Sequence, residues 1–226
     1  MFSLLKKIII GIFISHLLYL VLLKFVDAPI TITQINSIIN GDGFNRSHVN
    51  LNEISIHGKL AVIASEDQLF PDHNGFDIKS IKKALAYNKR KPGRVRGAST
   101  ISQQVAKNIF LWQGRSWVRK GLEVYFTFMI ELIWGKQRIL EMYLNEAEMG
   151  RGIFGIEAAS QKYFKHSAKK LTKVEAAMIA SSLPNPVLYT VKPPSRYVSR
   201  KYPWVMRQMS ALAPDPDVQQ IINTNR

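Results

Sequence analysis

The chain has 226 residues, enough for one domain with an anchor and too few for two full enzyme domains. Its hydrophobic share of 46% argues against a disordered protein, and the absence of cysteine excludes disulfides, thiolate nucleophiles and thiolate metal sites. Lysine and arginine number 31 against 16 for aspartate and glutamate, and this net charge of +15 favours an anionic partner: nucleic acid, an anionic membrane face or a phosphate-bearing substrate.

The stretch from Leu4 to Val26 predicts a membrane-spanning helix. It would extend about 34 Å at about 1.5 Å per residue, which is enough for a hydrocarbon core of about 30 Å. No small-x-small cleavage site precedes Asp27, so a retained anchor is favoured over a cleaved signal peptide. Lys6 and Lys7 favour a cytoplasmic N-terminus, which would place the rest of the chain outside the cytoplasm.

The sequence divides into three parts: an apolar anchor, a connector that contains proline and turn-forming residues, and a longer domain. Residues 1–26 form the cytoplasmic N-terminus and anchor, and residues 27–57 are predicted to be an irregular connector because Pro29 and the turn-prone residues 40–43 interrupt them. Residues 58–226 are predicted to form the functional domain.

The segment 61–77 is the first to suggest chemistry. Its apolar run, residues 61–64, belongs to a predicted helix that begins near Gly58 and delivers two adjacent carboxylates, Glu66 and Asp67. A carboxylate at the edge of apolar surface suits a general base or acid near neutral pH. The alternative is a solvated carboxylate at a helix end.

The segment 97–111 predicts a helix that is rich in small and amide side chains. Gly97 and Ser99 or Thr100 can open and cap this helix. Thr100, Gln104 and Lys107 or Asn108 fall on one side of it. Such a face suits hydrogen bonds to sugar hydroxyls and phosphate oxygens, and a polar contact between helices is the alternative.

A cluster of charges follows on the next predicted helix. Arg115, Arg119 and Lys120 precede Glu123, so that cations and one carboxylate share a face. A surface salt bridge between Arg119 and Glu123 is the simpler interpretation. Residues 124–134 are apolar nearly all round, which indicates either core or a surface pressed against a membrane.

Two more helical segments complete the domain. Residues 136–164 predict a helix, a glycine-marked turn and a second helix. Residues 171–186 begin with a capping box, Thr172 and Glu175, and end at Pro184. The tail beyond them contains proline and arginine and shows no recognisable chemistry.

Five of these stretches together resemble the peptidoglycan glycosyltransferases of family 51, which comprise monofunctional membrane-anchored enzymes and the glycosyltransferase module of bifunctional penicillin-binding proteins. The motifs occur in the family's order and cover most of residues 58–190. They are EDQLFPDHNGFD at 66–77, GASTISQQVAKN at 97–108, RKGLE at 119–123, ILEMYLNEAEMGRGIFGIEAASQKYF at 139–164 and LTKVEAAMIASSLPNP at 171–186.

The resemblance implies a mainly α fold: a lysozyme-like glycosyltransferase domain with a smaller membrane-associated lobe, preceded by one transmembrane helix. It also implies the substrate lipid II, a disaccharide-peptide on a pyrophosphate-linked undecaprenyl chain. Inverting β-1,4 transfer would polymerise lipid II into glycan strands and release undecaprenyl pyrophosphate. The expected location is the bacterial inner membrane, with a single pass and a periplasmic catalytic domain.

The resemblance also implies roles for individual residues. Glu66 matches the catalytic base and Glu123 a second essential carboxylate, while Lys107 and Arg115 match cations that contact the pyrophosphate. Further positions match residues that bind substrate or shape the site: Asp67, Phe70, His73, Ser99, Thr100, Gln103, Gln104, Arg119 and Lys120. No cofactor is required, and the family allows a divalent cation, Mg²⁺ or Mn²⁺, near Glu66 and Glu123.

Lipid II, the nascent glycan strand, the membrane and cell-wall synthesis proteins are the expected partners. The basic charge then fits a polyanionic lipid, and nucleic acid is not expected because no recognition motif is present. A lysozyme-like peptidoglycan hydrolase is the nearest alternative, although it would need neither the cation cluster nor the anchor. Residues 80–83 match Ser-x-x-Lys, but the chain lacks the Ser-Asp-Asn and Lys-Thr-Gly companions of a transpeptidase.

Overall fold

The computed structural model describes residues 2–91, 93, 97–114 and 116–223. Helices make up 64% of the structure, and the described residues form only three short strands, which confirms the mainly α fold. The eleven helices are α1 Phe2–Leu22, α2 Ile32–Ile39, α3 Ile56–Glu66, α4 Ile78–Arg90, α5 Ile101–Phe110, α6 Trp117–Ile133, α7 Lys136–Glu146, α8 Ile156–Phe164, α9 Lys173–Ser182, α10 Arg196–Leu212 and α11 Pro216–Ile222.

The predicted anchor is helical over most of its length. Helix α1 ends at Leu22, and the window from Leu4 to Leu22 is long and apolar enough to cross a membrane. Most of the side chains of α1 do not pack against the rest of the protein, as expected for a helix that is surrounded by lipid. The helix is consistent with the predicted membrane anchor.

Helix α3 forms the centre of the core. Leu60 and the run 61–64 are almost completely buried, and α3 packs against α9 and α10. Helix α5 packs in the same way against α6 and α7. Because both α3 and α5 are enclosed, the residues at their ends are held firmly in place.

The connector of residues 27–57 is more ordered than its sequence suggests. Thr31 and Gln34 form a capping box that starts helix α2. The segment also supplies strand β1, and its Arg46 and His48 contact the buried Glu146 of α7 at 2.9 and 2.8 Å. The connector is therefore packed onto the domain by a buried polar network.

A three-stranded sheet, which was not predicted, lies where the glycine-marked turn was expected. Strand β3 Ile153–Phe154 is central and pairs in parallel with β1 Asn45–Arg46 and antiparallel with β2 Glu148–Gly150. Gly152 has a φ of +64°, and a Cβ there would lie 2.3 Å from the Asp42 carbonyl oxygen. Only glycine fits this close approach, as the sequence indicated.

Candidate active site

Glu66 is the last residue of helix α3, and its carboxylate lies at the edge of a cleft of about 730 Å³. Its side chain is 12% exposed. Its close partners are neutral donors: the Ser65 hydroxyl donates to Oε1 over 3.2 Å, and the Gln104 amide donates to Oε2 over 3.1 Å. The buried apolar helix behind it fixes its position while leaving the carboxylate open to the cleft.

The side-chain amide of Gln104 is oriented by a hydrogen bond from Tyr143. The Tyr143 hydroxyl donates to its Oε1 over 3.3 Å, so that the amide group presents its N–H to Glu66. Burial raises the pKa of Tyr143 well above its ordinary value, and the negative charges of Glu66 and Asp67 add to the effect. Tyr143 therefore stays protonated and continues to act as a donor.

Asp67 and His73 hold the loop after α3 against the start of α5. The Asp67 carboxylate accepts the backbone N–H of Ile101 over 2.9 Å and contacts His73 Nε2 over 3.0 Å. His73 Nδ1 accepts the Gly75 N–H, so the proton of the neutral ring lies on Nε2 and points to Asp67. Asp67 lines the cleft, but both of these residues act mainly through the backbone they fix.

The other residues predicted from this loop and the start of α5 divide between the core, the helix cap and the cleft wall. Phe70 is completely buried. Thr100 and Gln103 form a capping box, and the Thr100 hydroxyl also donates to the Gly75 carbonyl over 2.7 Å. Ser99 is exposed and lines the cleft together with Thr100 and Gln104.

A second pocket of about 370 Å³ meets the first at Gln104 and Pro184, which line both. Lys107 and Asn108 of α5 line it, as the predicted polar face of that helix requires. Burial lowers the pKa of Lys107. The nearby negative charge of Glu123 opposes this shift, and the neighbouring cations Arg119 and Lys120 add to it.

Glu123 is the centre of a compact ionic cluster on helix α6. Its side chain is only 4% exposed; Arg119 donates to Oε2 over 2.8 Å, and Lys120 contacts Oε1. The simple i,i+4 salt bridge thus exists, but it is buried and shared with a third residue. Arg115 lies outside the described residues.

The cluster also contains a buried donor without a partner in the part of the chain that the structure describes. The Nε–H of Arg119 finds no acceptor there. Buried polar groups are nearly always hydrogen-bonded, so such a group calls for an explanation.

Comparison with known proteins decides the family. The Transglycosylase family profile matches residues 32–210. Biosynthetic peptidoglycan transglycosylases of Shigella boydii serotype 4 (strain Sb227), Escherichia coli O157:H7 and Escherichia coli (strain K12 / DH10B) are each 54% identical to this chain over 190 residues, covering 83% of it and 78% of their own length.

The chain belongs to the transglycosylase family. The family identified from the five motifs is thus confirmed. The matched region starts inside the connector at residue 32, which agrees with the packing of α2 against α5.

The resemblance allows a divalent cation near Glu66 and Glu123. No group of three or more His, Asp or Glu side chains that could hold a metal ion occurs among the described residues. Glu123 is already paired with two cations, and Asp67 is engaged by His73 and a backbone N–H.

Two residues of the tail reach the cleft, although the tail was interpreted as having no chemistry. Lys201 and Trp204 of α10 line it, and Lys201 Nζ lies 4.0 Å from Glu66 Oε1. Burial lowers the pKa of Lys201, and Glu66 opposes this shift. Pro203 inside α10 concealed the helix, whose spacing of apolar residues was the available signal.

Proposed function

We propose that this peptidoglycan transglycosylase polymerises lipid II into linear glycan strands, with Glu66 as the general base. The observation that carries the assignment is the environment of Glu66: a fixed carboxylate that faces a large cleft and is touched by neutral donors. A carboxylate of this kind can take the proton of the acceptor sugar's 4-hydroxyl as that oxygen attacks the donor's anomeric carbon.

The cation cluster would stabilise the leaving group of the reaction. The leaving group is a pyrophosphate, whose developing negative charge needs positioned donors. Lys107 lines the second pocket, with Arg119 and Lys120 close enough to affect its charge. The Nε–H of Arg119 is buried and has no acceptor among the described residues, and a phosphate oxygen of the bound substrate would satisfy it.

We assign one substrate to each of the two pockets. The acceptor occupies the cleft beside Glu66, and the donor pyrophosphate occupies the pocket beside Lys107. Gln104 lies on the wall that they share, where the reacting atoms must meet. A single displacement between the pockets converts an α-linked donor into a β-linked product, so the reaction inverts configuration.

The membrane placement follows from helices α1 and α6. Helix α1 anchors the protein, and α6 beside it exposes large apolar side chains, including Val118, Phe128 and Leu132. This surface would rest in the lipid from which the substrate comes. Lys6 and Lys7, in the first two turns of α1, favour a cytoplasmic N-terminus, and the catalytic domain would then lie in the periplasm on the inner membrane.

Incubation of the detergent-solubilised full chain with purified lipid II tests the function. We expect a polymer that lysozyme digests, which establishes β-1,4 linkage, together with one undecaprenyl pyrophosphate per bond formed. A parallel incubation with finished peptidoglycan tests the hydrolase alternative. Release of reducing-end fragments there, without polymer from lipid II, would contradict the proposal and support the hydrolase.

A further inference from the structure

The end of the membrane anchor is built into the catalytic domain. Leu20 and Leu23 are 0% and 1% exposed, whereas the preceding side chains of α1 are mostly open. The ring of Tyr19 also lies against Phe110 of α5, with centroids 6.3 Å apart. The last turn of the anchor is therefore part of the domain core and not a free tether.

Two side chains hold the backbone of this last turn. The Trp134 indole Nε1–H donates to the Leu20 carbonyl over 2.8 Å, and Trp134 is itself buried. Arg138 donates to the Leu23 carbonyl over 3.1 and 3.2 Å and to the Val26 carbonyl over 2.6 Å. The last carbonyls of a helix lack partners within it, so these donors satisfy groups that would otherwise need water.

Trp134 and Arg138 belong to the same two helices that carry residues of the candidate site. Trp134 is the C-cap of α6, the helix that carries Glu123 and its cations, and Arg138 lies in the first turn of α7, which carries Tyr143. Arg138 is braced in turn by Glu141 over 2.7 Å. Glu123 and Trp134 are eleven positions apart along α6, about 16 Å at about 1.5 Å per residue.

We propose that Trp134 and Arg138 are positioning residues that lock the anchor to the catalytic domain and so set the height and tilt of both pockets over the bilayer. This deepens the proposed function and rests on it. The pyrophosphate of a lipid-linked substrate lies at a fixed depth, at the membrane surface. A rigid joint brings the cations of α6 to that depth, whereas a loose joint lets the pockets drift away from it.

The test compares the same full-length protein and the same lipid II in two settings, reconstituted liposomes and detergent micelles. Micelles impose no common plane on enzyme and substrate, so positioning matters only in the bilayer. The key variant is Trp134→Phe combined with Arg138→Met, which removes the donors while keeping apolar bulk. Arg207→Met, on the exposed side of α10, is the matched control.

We expect the double variant to lose about tenfold or more of its polymerisation rate in liposomes and less than about twofold in micelles, because misplacing a substrate slightly can cost about 100-fold. Arg138→Lys, which retains a cationic donor, should recover part of the liposome rate. Equal losses in both settings would overturn the inference in favour of a purely structural role, as would unchanged rates in both. Wild-type protein that is inactive in both settings would instead overturn the proposed function itself.

Discussion

The two predicted carboxylates, Glu66 and Glu123, occupy opposite electrostatic settings. Glu66 ends a helix at the edge of an open cleft and accepts hydrogen bonds from a hydroxyl and an amide, and among the described residues the cation that pairs with it is Lys201, at 4.0 Å. Glu123 lies within a helix, is almost fully buried and is paired directly with Arg119 and Lys120.

This difference separates the roles of the two groups. The Glu66 carboxylate faces the cleft and accepts hydrogen bonds from neutral groups, so a substrate hydroxyl can reach it, whereas both oxygens of Glu123 are engaged by Arg119 and Lys120. We propose that Glu123 acts by orienting Arg119 and Lys120 beside Lys107. The resemblance implied that both residues are essential carboxylates. Their different surroundings lead us to propose proton transfer for Glu66 and the positioning of cations for Glu123.

Replacing Glu66 should have the largest effect. Glu66→Gln keeps the shape and the helix end but removes the base, and we expect polymerisation of lipid II to fall by about 100- to 10,000-fold, the usual range for general-base catalysis. The melting temperature should stay close to that of the wild type. Full activity in the folded variant would show that another group takes the proton.

Removing the Lys107 cation should come next. Lys107→Met keeps the length of the side chain and loses its charge, which should cost about 2.7–4 kcal/mol of transition-state stabilisation by analogy with an oxyanion-hole donor. The rate per enzyme should therefore fall by about 100- to 1,000-fold. A change confined to substrate affinity, with an unchanged turnover number, would argue against a role for Lys107 at the leaving group.

Glu123→Gln should instead combine a moderate loss of activity with a loss of stability. Removing one partner of a buried pair leaves uncompensated charges, so the free energy of unfolding should fall by about 3 kcal/mol, the low end because Lys120 is partly exposed. Urea denaturation measures this directly. If stability is unchanged while turnover is abolished, Glu123 takes part in the chemistry itself.

The smallest effect concerns pH. Burial lowers the pKa of Lys107, so this cation is present at low pH and is lost, as pH rises, earlier than an ordinary lysine. In the Lys107→Arg variant, whose guanidinium stays charged, the alkaline fall in turnover should move to higher pH. An alkaline limb at the same pH in both proteins would assign it to a different group, for example Lys201, whose pKa is also lowered.

The local parts of the fold could be predicted from the sequence. The apolar run before Glu66, the Thr172 and Glu175 capping box and the polar face of α5 all depend on residues a few positions apart. Patterns of this length are set by helix periodicity and capping, which a single sequence displays.

The long-range contacts could not be predicted in the same way. Lys201 reaches Glu66 from 135 positions away, because α10 packs against α3. Nothing in the sequence around Lys201 reports this contact. The pairing of Glu123 with both Arg119 and Lys120 was visible as a spacing, but its burial depends on the neighbouring helices.

Chemical rescue is the most direct test of the division between the two carboxylates. In Glu66→Ala, formate added to the assay can enter the cleft and supply the missing base, so we expect it to restore part of the polymerisation rate. In Glu123→Ala, formate should restore none, because the variant has lost the orientation of two cations and not a base. Rescue of Glu123→Ala but not of Glu66→Ala would contradict the account and exchange the roles of the two residues.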